Sequence, residues 1–243
     1  MAYRSIINGQ NGQPFIEAAI DAVGPMTNPQ RLPADILARF DDNLPRALID
    51  VWENQGIGDL DKGRLRLCIP GALRTPVNTL FGQDPYFAGQ VQAIAFGAFG
   101  DLILWHDTYQ IVYVNMQLAF VEMPVFFQPI TKTSDDDAIY HQFLKMQAGA
   151  LDAYDDTGTP MYDNAIAAHD ELKELQIFGM NPPAPFHEAY SLDRHHPTDV
   201  IEWLGEKFAA TTFTLNDPAT GRGPVRNIGP LLPGEELRRP GEL

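Results

Sequence analysis

Residues 91–123 read VQAIAFGAFGDLILWHDTYQIVYVNMQLAFVEM. Four apolar runs follow one another at short spacing: Val91 to Phe96, Leu102 to His106, Gln110 to Val114 and Gln117 to Met123. Between them stand Gly100-Asp101, His106-Asp107 and Asn115-Met116, residue types that favour tight turns. Runs this short, joined by turns this tight, fold back on one another, so the stretch predicts an antiparallel meander at the centre of the core.

Upstream, Ile36, Leu37, Phe40, Leu44, Leu48, Val51 and Trp52 recur every three or four residues, the spacing of amphipathic helices. Pro45 clashes with a continuous helix, so one helix is expected to end near Asn43 and a second to begin at Leu44, stopping at Gly56 and Gly58. Leu65-Arg66-Leu67-Cys68-Ile69 alternates as a strand, with Cys68 and the leucines on opposite faces. Thr75 to Pro85 reads as turns. Downstream, Val125-Phe126-Phe127 makes an aromatic connection between prolines.

Three helices are then expected. The first is capped by Ser134 and buries Ile139, Phe143, Met146 and Leu151. The second covers Met161 to Leu175, with Ile166, Leu172 and Leu175 inward. The third runs from Thr198 to Phe208, with Thr198 as its cap and Val200, Ile201, Leu204 and Phe208 buried. The fold class is α+β: N-terminal helices, a central antiparallel meander, C-terminal helices packed on the sheet and an extended Pro/Gly-rich tail. The expected divisions are a loosely packed lead-in over 1–33, which includes a short apolar stretch from Phe15 to Val23, a first domain over 34–130, a helical domain over 131–215 and the tail over 216–243.

The chain has 243 residues and a net charge of −15, which excludes a nucleic-acid binder that works by neutralising phosphates. A single cysteine, Cys68, excludes an intramolecular disulfide framework or a cysteine-rich zinc cluster and fits a reducing compartment. With no signal-peptide core and no apolar run long enough for a membrane span, the expected location is the cytoplasm, with no membrane partner. The acidity is segregated: −1 over residues 1–74, −4 over 75–130, −10 over 131–215 and zero over 216–243. It is densest at Asp135, Asp136, Asp137, Asp152, Asp155 and Asp156. Such a face either keeps the protein soluble or meets a basic partner, and helix caps account for part of it.

No catalytic pattern emerges. The six histidines form neither HxxxH nor HExxH, and His195-His196 stands beside a proline in what reads as a loop. Cys68 has no adjacent base and reads as a buried thiol. The glycines of Phe96-Gly97-Ala98-Phe99-Gly100 precede neither a basic residue nor a helix start, so they read as a turn and not a phosphate cradle. No enzyme, cofactor or metal is expected.

The order of segments LPRALIDVWENQGIG, GRLRLCIP and AIAFGAFGDLILWHDTYQIVYV resembles the GAD-like domain, in which a helix of the form "lP..l...w...G" leads into an "a...a.GdL..W" hairpin. The matching positions are Leu44, Pro45, Leu48, Trp52, Gly56, Gly100, Asp101, Leu102 and Trp105. Phe126-Phe127 and PMYDNAIAAHDELKELQIFGMNPPAPF resemble the companion domain of type VI secretion immunity proteins that guard against DNase effectors. That likeness rests on Met161, Tyr162, Ala165, Leu172, Phe178, Gly179 and Pro182, with departures at His169-Asp170-Glu171, Gln176 and Met180. The resemblance implies a cytoplasmic antitoxin whose partner is a cognate DNase toxin, and it brings no catalytic residues. Among the acidic residues and their aromatic neighbours, Asp135, Asp136, Asp137, Asp152, Tyr154, Asp155, Asp156 and Tyr162 are the candidate partner-binding set. The alternative is a small-molecule-binding protein or enzyme on the same fold, with a pocket between meander and helices near Trp105, Tyr113 and a histidine.

Overall fold

Alternation along Val91–Gly97, Leu102–His106 and Gln110–Asn115 sends side chains to both sides of a sheet; both sides are buried along the first two strands, and buried and half-buried residues alternate along the third. The structure, a computed structural model, describes residues 26–145, 151–181, 191–218 and 224–231, and side chains except those of 143–145. Phe15 to Val23, and the side chains of Phe143 and Met146, therefore lie outside the described residues. The fold is mixed α+β, with helices on both faces of a large central sheet.

That sheet has nine strands in the order β1 (Thr27–Gln30), β2 (Ile57–Leu60), β3 (Leu65–Leu67), β4 (Val91–Gly97), β5 (Leu102–His106), β6 (Gln110–Asn115), β7 (Phe120–Glu122), β10 (Thr214–Asn216) and β11 (Arg226–Asn227). Neighbours are antiparallel except β7 and β10, which pair in parallel. The expected meander is β4 to β7. Its β4–β5 ladder shifts register between Ala93 and Ala95, where one extra β4 residue is accommodated. This turns both Ile94 and Ala95 to one face, leaving Ala93 and Phe96 on the other.

One face is covered by α2 (Arg46–Asn54) and α5 (Asp135–Lys145), which bury Leu48, Trp52 and Ile139 against Ile94, Ile103 and Trp105. Pro45 stands at the N-cap of α2, and Gly56, at φ +90°, follows its end. The opposite face carries α3 (Arg74–Phe81), the short α4 (Pro124–Phe127) and α7 (Val200–Ala210). Phe81, Phe126, Trp203, Leu204 and Phe208 pack there with Cys68, Phe96, Leu104 and Val112. The short helix α1 (Ala34–Leu37) leads into α2.

Four expectations are corrected. Thr75 to Pro85 contains α3, because Pro76 lies in its first turn, where a missing N–H costs nothing, and Val77, Leu80 and Phe81 supply a buried stripe. The expected helix from Met161 to Leu175 is only α6 (Tyr162–His169). Asp170 and Leu175 take positive φ, +65° and +56°, and the chain then extends into β8 (Gln176–Met180). His195-His196 opens β9 (His195–Asp199), which pairs antiparallel with β8 in a separate two-stranded sheet. Finally, Asp199 and not Thr198 caps α7, its Oδ1 accepting from the backbone N–H of Ile201 and Glu202 at 2.8 and 3.0 Å.

The small sheet is locked to the meander by Trp203. A Cβ on Gly100 would stand 2.8 Å from its ring, and one on Gly179 would stand 2.7 Å away. Gly100 also has φ +92°, so the "GdL" turn needs glycine for conformation and for space. The described part of the tail is extended and tethered. Arg226 donates from Nη1 and Nη2 to the two carboxylate oxygens of fully buried Asp84, at 2.6 and 2.9 Å, and Gly229 N–H adds a third bond at 3.0 Å.

Candidate functional site

The candidate acidic residues separate into two groups at opposite ends of β6. Asp135 accepts from Gln110 Nε2 at 2.9 Å, at the start of the strand. Gln117, just beyond its end, binds Tyr154. The six residues of that strand, roughly 17 Å from first to last, separate the two ends.

At the first end the carboxylates serve helix termini. Asp137 and Ser134 form a reciprocal cap: Ser134 Oγ accepts from Asp137 N–H at 3.1 Å and donates to Asp137 Oδ2 at 2.7 Å. Asp136 Oδ1 accepts from Ala47 N–H at 2.7 Å, in the first turn of α2. Proline at that helix's cap has no side-chain acceptor, so the aspartate of a neighbouring helix supplies one.

At the second end, Asp152 is 9% exposed and its Oδ1 accepts from the N–H groups of Met161 and Tyr162 at 3.0 and 2.9 Å. It caps α6 from within the fold, 3.7 Å from Arg64 Nε. Burial raises its pKa against the lowering effect of those hydrogen bonds. Tyr162 is 3% exposed, donates to Lys62 O at 2.5 Å and lies under the Arg64 guanidinium. Burial pushes its hydroxyl up to about 12. Neither Asp152 nor Tyr162 presents a surface.

Tyr154, Asp155 and Asp156 do. The loop is held by a β-bridge between Tyr154 and Pro160 and by bonds to Asp155 Oδ1 from Thr157 N–H, Thr157 Oγ1 and Thr159 N–H, at 2.9, 2.7 and 2.8 Å. Those bonds, the Thr157 hydroxyl first, hold the Asp155 carboxyl below the usual range. Gln117 clamps the adjoining backbone, donating to Tyr154 O at 2.5 Å and accepting from Tyr154 N–H at 3.1 Å. The result sets Tyr154, 42% exposed, near Leu118, 51% exposed, with Asp156 open to solvent. Gln117 and Leu118 escape the sequence reading. The one available signal is an apolar side chain at the tip of a turn.

Beneath this patch lies the Asp101 network. Met116 N–H donates to Asp101 Oδ1 at 2.7 Å, Tyr113 Oη donates to Oδ2, and Asn115 Oδ1 accepts from Leu118 N–H at 2.6 Å. Burial pushes Asp101 up to about 6 despite those bonds.

The remaining candidates are structural. His106 is buried, bonded to Tyr86 O at 2.9 Å through Nε2, while Nδ1 accepts from Thr108 N–H at 3.0 Å. Burial lowers its pKa, so it is neutral in this setting. Cys68 is buried and its thiol is pushed up to about 12, the opposite of an activated nucleophile. Among the described residues no group of three or more His, Cys, Asp or Glu could hold a metal, and no helix is long and apolar enough to cross a membrane. Trp105 packs in the core under α2. A cleft of about 610 Å³ lies between the sheet at β1–β4 and the 172–175 segment.

Residues 14–118, which include the helix-to-hairpin unit and its "GdL" turn, match the GAD-like domain family. The crystal structure of Atu4351 from Agrobacterium tumefaciens has the same fold, with a TM-score of 0.81 and 24% sequence identity over 88% of this chain and 98% of that one. No protein of curated function matches the chain.

Proposed function

We propose that this protein is a type VI secretion immunity protein, a cytoplasmic antitoxin that binds a cognate DNase effector and covers its DNA-binding surface. The observation that carries the reading is the braced acidic loop with Tyr154 and Leu118 exposed beside Asp155 and Asp156. A DNase presents positive charge to phosphate, so an acidic surface attracts the same cleft that DNA would enter. Charge of this kind steers encounter, and an aromatic with an aliphatic neighbour supplies the desolvated centre on which affinity depends. The loop is fixed before contact, which lowers the entropy lost on binding. The acidic group at Asp135–Asp137 extends the same field from the other end of β6. The function needs neither enzymatic chemistry nor a cofactor, and the protein itself takes no nucleic acid.

Co-expression with the nuclease encoded beside its gene tests this. The wild type is expected to restore growth and to form a complex whose association slows as salt rises. Combined Leu118→Ala and Tyr154→Ala is expected to weaken that complex at least about thirtyfold, the effect of losing a hot spot of about 2 kcal/mol. Failure of the wild type to protect overturns the function. Undiminished binding by the double variant overturns the surface.

A further inference from the structure

We infer that His169 and His196 form a solvent-open binding site for a single zinc ion, with water completing its coordination. His169 closes the last turn of α6, which Asp170 ends at φ +65°. His196 is the second residue of β9, and alternation along that strand turns His195 inward against Phe99 and His196 outward to solvent. The helix end and the strand thus set the two rings side by side, with centroids 5.3 Å apart and planes inclined at 82°. His169 is half-buried and rests against Phe178, with centroids 6.1 Å apart, so one ligand is seated before an ion arrives.

The separation of the rings selects the ion. Two imidazoles that share one tetrahedral zinc, each at a Zn–N distance of about 2.0–2.1 Å, stand with their ring centres about 5 Å apart. A square-planar ion, with its narrower angle between neighbouring ligands, would draw them closer. Calcium and magnesium require oxygen ligands, whereas imidazole nitrogen suits zinc. Among the described residues, no hydrogen bond engages a ring nitrogen of His169 or His196. The contrast is with His106, which is bonded to Tyr86 and Thr108, and His195, whose Nδ1 is bonded to Ser191 O. Exposed as it is, His196 can turn about χ2 to aim a nitrogen at an ion beside His169.

Two protein ligands leave two coordination positions to water, so the ion is held more weakly than in a closed four-ligand site. The surrounding half of the chain, −10 over residues 131–215, raises the local concentration of cations. Once bound, the ion ties the end of α6 to β9 and stabilises the fold in proportion to its occupancy.

The test is a titration of zinc chloride into the full, untagged chain after treatment with a chelator, followed by calorimetry and by the ring signals of 15N-labelled histidines. One ion per chain is expected to bind and to raise Tm, with the His169 and His196 signals moving together while those of buried His106 stay in place. His169→Asn and His196→Asn are each expected to weaken binding at least about tenfold and to remove the rise in Tm. His141→Asn, at an exposed position of α5, is expected to bind like the wild type, and excess magnesium is expected not to compete. Absence of saturable zinc binding by the wild type overturns the site. Movement of one ring without the other, or full affinity in either His169→Asn or His196→Asn, overturns the pair. Should His169→Asn disturb α6, the wild-type ring signals and the exposed His196→Asn still decide. None of these outcomes bears on the proposed immunity function.

Discussion

Asp135–Asp137 and Asp155–Asp156 are aspartate runs in the same acidic half of the chain, and they put their carboxylates to different use. In the first run the side chains are engaged by Gln110, Ala47 and Ser134, so its charge is tied to the helices it caps. In the second, Asp155 organises its own loop and Asp156 faces solvent. Sequence density therefore does not measure how much charge a partner can meet. What a carboxylate can do for a partner depends on which N–H groups it already serves.

The contrast can be pushed hardest at Asp101, the most buried of the carboxyls that brace the second region. Burial holds its folded pKa at about 6, above the ordinary value of 3.8, so the folded state binds more protons between those pH values. Its contribution to stability is fully present below about pH 4 and is lost as pH rises through about 6. The full swing is of order 3 kcal/mol at about 1.4 kcal/mol per unit. Urea midpoints from pH 4 to 7 should show this component in the wild type and lack it in Asp101→Asn. Asp152→Ala is expected to destabilise by about 2 kcal/mol, since two buried N–H groups lose their acceptor. Chemical denaturation measures that loss, and an unchanged midpoint would show that Asp152 is not a structural cap.

Asp136→Ala should cost about 1 kcal/mol through the N-terminus of α2. The smallest stability effect is expected for Asp156→Asn, within about 0.5 kcal/mol, because its side chain is exposed. If the second region is the docking surface, that variant slows association with the nuclease and flattens its salt dependence in stopped-flow measurements. A greater loss of stability at Asp156 than at Asp136 would reverse the comparison.

The meander was legible because its information is local: alternation in Leu102–His106 and Gln110–Asn115, with Gly100-Asp101 between strands. The Ser134 cap was legible for the same reason. What escaped depends on distant partners. Leu172 and Leu175 have helical spacing, but β8 pairs with β9, and Arg66 binds the Leu172 and Lys173 carbonyls across the interior. His195 and His196 read as a loop because Gln176–Met180, the strand that pairs with them, carries no strand signal of its own in the sequence. At the candidate surface, the acidic run was visible, but the burial of Asp152 and Tyr162 follows from their bonds to residues nine or more positions away. The clamp of Gln117 on Tyr154, which sets Leu118 near it, spans 37 positions and leaves no periodic trace.

The clasp of Arg226 on Asp84 joins residues 142 positions apart, and β10 takes its place beside β7 only after the whole C-terminal helical region has been made. On the ribosome, β7 therefore waits with an open edge while the intervening segments emerge. A nascent chain can complete its meander early, but not the sheet. If the proposed immunity function holds, protection would begin only after synthesis of β10 and β11, with a delay set by translation and late docking.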